Sequence, residues 1–318
     1  MANPFQADGT WLRCALHAHT TESDGDLPPL ELAAAYDAAG YDVLAITDHW
    51  RLTRVPSTRG LLTVPAAELS CDLDGEGEIA DVLVYGIAEI PDDPGGDRRN
   101  WLVNQLEHWE QRTFANGGAV AAFAHDQGGA AFVAHPYWTG IDPGALDGAD
   151  ELDGLEVYNA GCEHESGRGD SSAFWDALLE RGLGPAVLAA DDTHVTATDL
   201  GHASTWVRAA DRSPEAVVDA LRRGVSYATA GPLLHDVRLD GARIEVACSP
   251  CRLVVVQMER ELGCAVTARD GEQPYGRVLD RDDDGLIVRA ELRPPEGRYR
   301  RVRVVDAAGR SAWTNVLD

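Results

Sequence analysis

Residues 16–25 read "LHAHTTESDG". Two imidazoles, His17 and His19, close the apolar run "LRCALHAH" one residue apart, and a carboxylate, Asp24, follows five positions after the second. The same ending recurs down the chain. "DVLAITDH" ends in Asp48 and His49, "LLTVPAAE" in Glu68, "AAFVAH" in His135, "LEVYN" in Tyr158 and Asn159, and "PAVLAADDTH" in Asp191, Asp192 and His194.

Between residues 30 and 230 these runs alternate with segments of helical spacing, the pattern of β/α units around a parallel sheet. "LPPLELAAAYDAAGY" reads as a helix stopped at Gly40, "NWLVNQLEHWEQRTFANGG" as a second with a Gly-rich stop, and "SSAFWDALLERGLG" as a third. "SPEAVVDALRRG" carries a Ser cap, Pro in the first turn and Gly at the exit. In a parallel β/α barrel the C-terminal strand ends converge on one face, where active sites are built.

A lone histidine at a strand end is ordinarily a hydrogen-bonded structural residue. Histidines interleaved with carboxylates at equivalent ends of five or six strands are another matter. Burying them together costs several kcal/mol unless cations neutralise the carboxylates and Lewis acids engage the imidazoles. The expectation is therefore a multinuclear site for divalent ions. A mixed N/O donor set without thiolate suits Zn, Mn or Fe, and Glu68 is the expected bridging ligand between paired ions that make hydroxide available.

Composition narrows the alternatives. With 318 residues and 44% hydrophobic content the chain can bury a large core. The 27 basic residues, all Arg, face 53 acidic ones for a net charge of −26, which argues against general nucleic-acid binding. The charge itself is read as genome bias or salt adaptation. The start of the chain lacks a signal-type apolar stretch and no run has membrane-spanning length, so a cytoplasmic protein with a small-molecule substrate and no membrane partner is expected. Oligomeric state is left open. Of six scattered cysteines only Cys248 and Cys251, in "CSPC", are close, and they read as reduced thiols.

Together "HAH" with Asp24, "TDH", "PAAE", "AHP" and "DDTH" resemble, in order and approximate spacing, the motifs of the PHP (polymerase and histidinol phosphatase) superfamily over residues 11 to about 205. The resemblance implies a distorted (β/α)7 TIM-like barrel that binds two or three metal ions, with His17, His19, Asp24, His49, Glu68, His135, Asp192 and His194 as ligands. "GYDVLAITDH", "LEVYN", "RRGVSYATAGP" and "DAAGRSAWTNV" resemble the CehA/McbA-type branch, which is named for carbamate hydrolases. One departure stands out: where relatives have His in a strand like "HVLGYGI", this chain has "DVLVYGI" with Asp81. Either Asp81 ligates through oxygen and favours harder cations, or that ion is missing.

Other residues divide between functional and structural readings. Asp48 is expected to orient a ligand imidazole. Glu156 and Asn159 are read as lining the pocket, and Arg51 as a clamp for an anionic substrate. His202 is a candidate general acid for which the surface reading is preferred, while His108, His125, His164 and His235 fit no motif.

The expected domains are a hydrolase barrel over 1–231 and a small β-sandwich-like unit over 232–318, where "ARIEVAC", "RLVVVQM", "LIVRAEL" and "RYRRVRVVDAAGR" read as strands. "DRDDDGLIVRAE" fits the calcium-loop pattern, but strand and proline sequence after it make an acidic hairpin turn the better reading. The functional expectation is a metal-dependent phosphoesterase in which Glu68, Asp192 and His194 take part in catalysis. A carbamate, ester or amide hydrolase with the same cluster is the alternative, and a non-catalytic binding barrel a further one.

Overall fold

The computed structural model describes residues 3–73, 79–91, 114–146, 151–269 and 273–317. The first part of the chain holds β1 (Thr10–Ala15), α1 (Pro29–Ala38), β2 (Val43–Ile46), β3 (Leu62–Asp72), β4 (Ile79–Tyr85), α2 (Gly117–His125), β5 (Ala130–Val133) and α3 (Pro136–Thr139). There follow β6 (Gly154–Asn159), α4 (Ala160–Ser166), α5 (Ser172–Glu180), β7 (Ala186–Ala190), α6 (Thr196–Asp199), β8 (Ser204–Ala209), α7 (Pro214–Arg222) and β9 (Ser226–Thr229). The rest is β10 (Leu234–Asp240), β11 (Arg243–Cys251), β12 (Leu253–Gln257), β13 (Gly263–Thr267), β14 (Gly276–Arg281), β15 (Ile287–Leu292), β16 (Arg301–Val305) and β17 (Ser311–Thr314). This is an α/β protein with one large mixed sheet, and none of its described helices is long and apolar enough to cross a membrane.

Local chemistry explains the helices. At α7 the Ser213 side chain accepts the Ala216 N–H and Pro214 takes the first turn, as the sequence predicts. The helix expected over residues 100–118 falls largely outside the described residues. Its supposed stop, Gly117-Gly118, instead opens α2, because the Asn116 side chain caps the Ala119 N–H.

Strands β1 to β7 lie side by side in chain order within a 13-stranded sheet. β1, β2 and β3 are parallel, as are β5, β6 and β7, but β4 runs antiparallel to both neighbours. The regular alternation expected from the sequence is broken there. Side chains along a strand alternate between faces, and one face from β1 (Leu12, Cys14), β2 (Val43, Ala45), β3 (Val64, Ala66), β4 (Leu83, Tyr85), β5 (Phe132) and β7 (Leu188, Ala190) gathers into a single buried cluster. Val217, Val218 and Leu221 of α7 join the same cluster, and the curl of the sheet shows in the approach of the chain after β1 to the chain after β7. On β6 the inward position is Gly154, whose Cβ would stand 2.3 Å from the Phe132 ring, so glycine makes the room that Phe132 fills. Beyond the strands, His19 N donates to Thr193 O and Asp192 N to His17 O, which ties the chain after β1 to the chain after β7.

The later strands are as the sequence suggests, yet the sheet runs across the division expected at 231/232. β17 pairs with β9, and the Asn315 amide donates to Gly224 O and Ser226 O while its oxygen accepts from Val187 N. A second sheet, β10-β11-β15-β14, shares an apolar core with β12 and β16 through Val246, Ile244, Ala290, Val254 and Val304. The "DRDDDG" stretch is the turn between β14 and β15, with Asp282 Oδ1 accepting from Asp284 N and Leu286 N. It is a hairpin turn, not a helix–loop–helix.

Candidate metal centre

The eight residues singled out as ligands meet at one end of the curled sheet. His17 and His19 follow β1, His49 follows β2, His135 follows β5, and Asp192 and His194 follow β7. Glu68 differs, lying within β3, which continues to Asp72. Three of the four described non-glycine residues with left-handed backbone, Trp50, His135 and Asp192, belong to this set or adjoin a member of it. Such conformations are disfavoured for residues with a Cβ and concentrate at functional sites. Gly25 closes the loop behind His19, where a Cβ would stand 2.2 Å from the His19 carbonyl oxygen.

Glu68 is the hub. Its Oε2 lies 3.2 Å from His17 Nε2, 3.2 Å from His19 Nε2 and 3.3 Å from His49 Nδ1, while Oε1 lies 3.3 Å from His135 Nε2. Asp192 Oδ1 stands 3.1 Å from His17 Nε2 and 3.3 Å from His19 Nε2. Asp24 Oδ2 faces His194 Nε2 at 3.3 Å and His49 Nε2 at 3.7 Å. Despite this crowding Asp24 Oδ2, Glu68 Oε1 and Asp192 Oδ1 are buried and make no hydrogen bond. Their neighbours flank them rather than donate to them.

That geometry fits cations. Ligand atoms about 2.1 Å from a shared ion stand about 3.0–3.4 Å apart along the edges of its coordination polyhedron. Donor groups able to share an ion are His19 with Asp24, His49 and His194; His17 with His19 and Asp192; His17 with Glu68 and His135; and His49 with Glu68 and Asp81. Without cations the only compensation is protons. Burial opposes charge on His17 and His19, but Asp192, Glu68, Glu156 and Asp24 overcome it and raise both imidazoles well above their usual range. His135 is likewise pushed up to about 9 against burial, chiefly by Glu68. The imidazoles in turn hold Asp24, Glu68 and Asp192 below the ordinary carboxylate range despite their burial.

Several sequence expectations change here. Glu156 and Asn159 do not line the pocket, because both are fully buried behind His17 and Asp192. Glu156 Oε1 accepts from His17 Nδ1 at 2.9 Å, and Oε2 accepts from His135 N at 2.8 Å and Asn159 Nδ2 at 2.9 Å. This fixes which His17 nitrogen faces the centre. Asn159 also donates to Asp192 Oδ2 at 3.0 Å and caps α4 through Cys162 N. Arg51 does not reach the cavity either, since its guanidinium pairs with Glu22 on the surface. Asp48 accepts from Thr20 N, Thr20 Oγ1 and Ser23 Oγ, and Ser23 Oγ stands 3.3 Å from His19 Nδ1. Its hold on His19 passes through Ser23.

Asp191, adjacent to Asp192, points away. It accepts the N–H groups of Gly201, His202 and Ala203 and the hydroxyls of Tyr36 and Tyr41. His202 is exposed and outside the cavity, its ring edge against His164 at 4.6 Å. His164, given no role by the sequence, lines the cavity with Nδ1 3.9 Å from Asp199 Oδ1. No motif signals it; only the fold brings α4 to the rim.

The cavity is about 580 Å³, the size of a small-molecule site. Asp24, His49, Glu68, Asp81, His135, Asp192 and His194 line it, together with Trp138 and Cys162 and, at its rim, His164, Glu165 and Asp199. Among the described residues, none that lines it is Arg.

No family model and no curated protein matches the chain. Among solved structures it is similar to a two-domain protein from Bacteroides vulgatus containing a predicted PHP-like metal-dependent phosphoesterase, at 15% identity and a TM-score of 0.49, covering 100% of this chain and 99% of that one. It is also similar to an amidohydrolase from Chromobacterium violaceum with bound sulfate and no metal, at 16% identity and a TM-score of 0.42, over 59% of this chain and 90% of that one. A candidate metal-dependent phosphoesterase from Bifidobacterium adolescentis is similar at 16% identity and a TM-score of 0.37, over 59% and 89%.

Proposed function

We propose that the chain is a metal-dependent hydrolase of PHP type, with a closed, distorted barrel as scaffold, acting on a small phosphoester. The observation that carries the reading is the trio of buried carboxylate oxygens, on Asp24, Glu68 and Asp192, that lack hydrogen-bond donors amid five imidazoles at the floor of an open cavity. Divalent ions bound there supply Lewis acidity and a water of lowered pKa as nucleophile.

The protein's own residues set the stage for that chemistry. Glu68 spans the cluster with one oxygen toward His135 and the other toward His17, His19 and His49. Glu156 keeps the His17 Nδ1 proton turned outward, and Asn159 couples Glu156 to Asp192, so the interior face of the cluster is preset. His194 and Asp192 close the side nearest α6. At the rim, His164 is the imidazole outside the ligand set that lines the cavity, and it would donate the proton to the leaving oxygen, with Asp199 Oδ1 3.9 Å from its Nδ1.

Charge supports a phosphoester. Three divalent ions would bring six positive charges against the five negative ones of Asp24, Glu68, Asp81, Glu156 and Asp192, with the imidazoles neutral as ligands. A phosphoryl group is thereby attracted without arginine. The lack of Arg among the lining residues, with Glu165 and Asp199 at the rim, is what favours the second reading, a neutral carbamate or ester. The test is Mn-loaded protein with nitrophenyl phosphate and nitrophenyl carbamate in parallel, with His17→Ala as control. Phosphate turnover abolished by the substitution supports the proposal; carbamate turnover alone replaces it with the second reading, and no turnover of either leaves the binding barrel.

A further inference from the structure

Asp81 stands on β4 directly across from Ser70 on β3, in register, and Ser70 Oγ donates to Asp81 Oδ1 at 2.7 Å. The carboxylate is buried, lines the cavity, and comes within 4.8 Å of a ligand atom on Glu68 and one on His49. Glu68 keeps a buried oxygen without a donor. The antiparallel pairing of β3 with β4 is what carries Asp81 here.

The donor sets in the cluster are unequal. His19, Asp24, His49 and His194 offer three nitrogens to one oxygen, and His17, His19 and Asp192 offer two to one. The group containing Asp81 reverses this, with one nitrogen and two carboxylate oxygens. Carboxylate-rich sites suit harder cations such as Mn, whereas imidazole-rich sites suit Zn or Fe.

We infer that Asp81 is a further metal ligand that makes its position in the cluster selective for a hard cation, with Ser70 orienting the carboxylate, so that the loaded protein carries two kinds of metal. This rests on the reading that the cluster holds divalent ions, and the test separates the two. Chelator-stripped protein is titrated with Mn(II) and, separately, with Zn(II), following stoichiometry by elemental analysis and affinity by calorimetry, for the native chain, Asp81→Asn, Asp81→His and Ser70→Ala.

The native chain is expected to include one Mn-preferring site. Asp81→Asn should lose that equivalent or weaken it at least 100-fold, and Ser70→Ala should weaken it about 10-fold, as for other residues that orient a ligand. Asp81→His should bind the native number of ions but with the site now preferring Zn(II), which also reports an intact fold. Asp81→Asn with native stoichiometry and Mn(II) affinity within twofold of the native chain overturns the inference alone. A native chain that takes up neither metal overturns the proposed function and this inference with it.

Discussion

In the metal-free protein the neighbouring carboxylates favour the protonated forms of His17, His19, His135 and His194, and any cation must displace those protons. His135 shows the size of the effect. With its pKa at about 9, holding a proton at pH 7 weakens apparent metal affinity at its position about 100-fold relative to the deprotonated site, at 1.36 kcal/mol per unit. His17, His19 and His194 are raised as well, so several protons leave on full loading. Apparent affinity should therefore tighten at least about 10-fold per pH unit between 7 and 8. Folding stability of the stripped protein runs the opposite way. A histidine whose folded pKa exceeds its unfolded value near 6.5 contributes stability below that value and loses it as pH climbs through the folded pKa. For His135 this is about 3 kcal/mol lost between roughly pH 6.5 and 9. Calorimetric titration with Mn(II) in phosphate and Tris, whose ionisation enthalpies differ, counts the protons directly. A buffer-independent enthalpy and an affinity flat from pH 6 to 8 would refute the reasoning.

Three further outcomes follow from the same contacts. Glu156→Gln keeps the shape but turns an amide NH2 toward one of three donors, on His17, His135 or Asn159, so metal affinity should fall about 10–100-fold with the circular dichroism unchanged. Asp191→Ala strips the acceptor from three backbone N–H groups and two tyrosine hydroxyls and should cost at least about 3 kcal/mol in urea unfolding. His164→Ala should slow hydrolysis of alkyl phosphates about 100-fold or more while sparing nitrophenyl phosphate, whose leaving group needs no proton; equal losses on both would remove His164 from the acid role.

The clustering of these side chains was legible because strand ends carry most of them: an apolar run closed by His, Asp or Glu is a local signal, and its repetition along the chain is a pattern. Glu68 stands out at the end of "LLTVPAAE" and Asp24 five positions after His19, although Asp24 sits in a loop and Glu68 inside a strand that continues past it. Supporting residues were misread for a physical reason. Glu156 and Asn159 look like pocket residues at the end of "LEVYN", but the register shift between Glu156 and Tyr158 on β6 leaves both buried under His17 and Asp192. Arg51 has the right neighbour in sequence and the wrong one in space, Glu22. Between the adjacent Asp191 and Asp192 the resemblance picks Asp192, and in the structure Asp191 faces Gly201, Tyr36 and Tyr41 while Asp192 faces His17 and His19. The β3–β4 hairpin and the pairing of β17 with β9 are long-range events without a local signature.

The most direct test of the metal centre is anomalous diffraction from crystals of Mn- and Zn-loaded protein. Peaks within coordination distance of Glu68, flanked by the imidazoles of His17, His19, His49, His135 and His194, are the predicted result. Crystals soaked to saturation that show no peak there, with the imidazoles donating directly to Asp24, Glu68 and Asp192, would contradict the account.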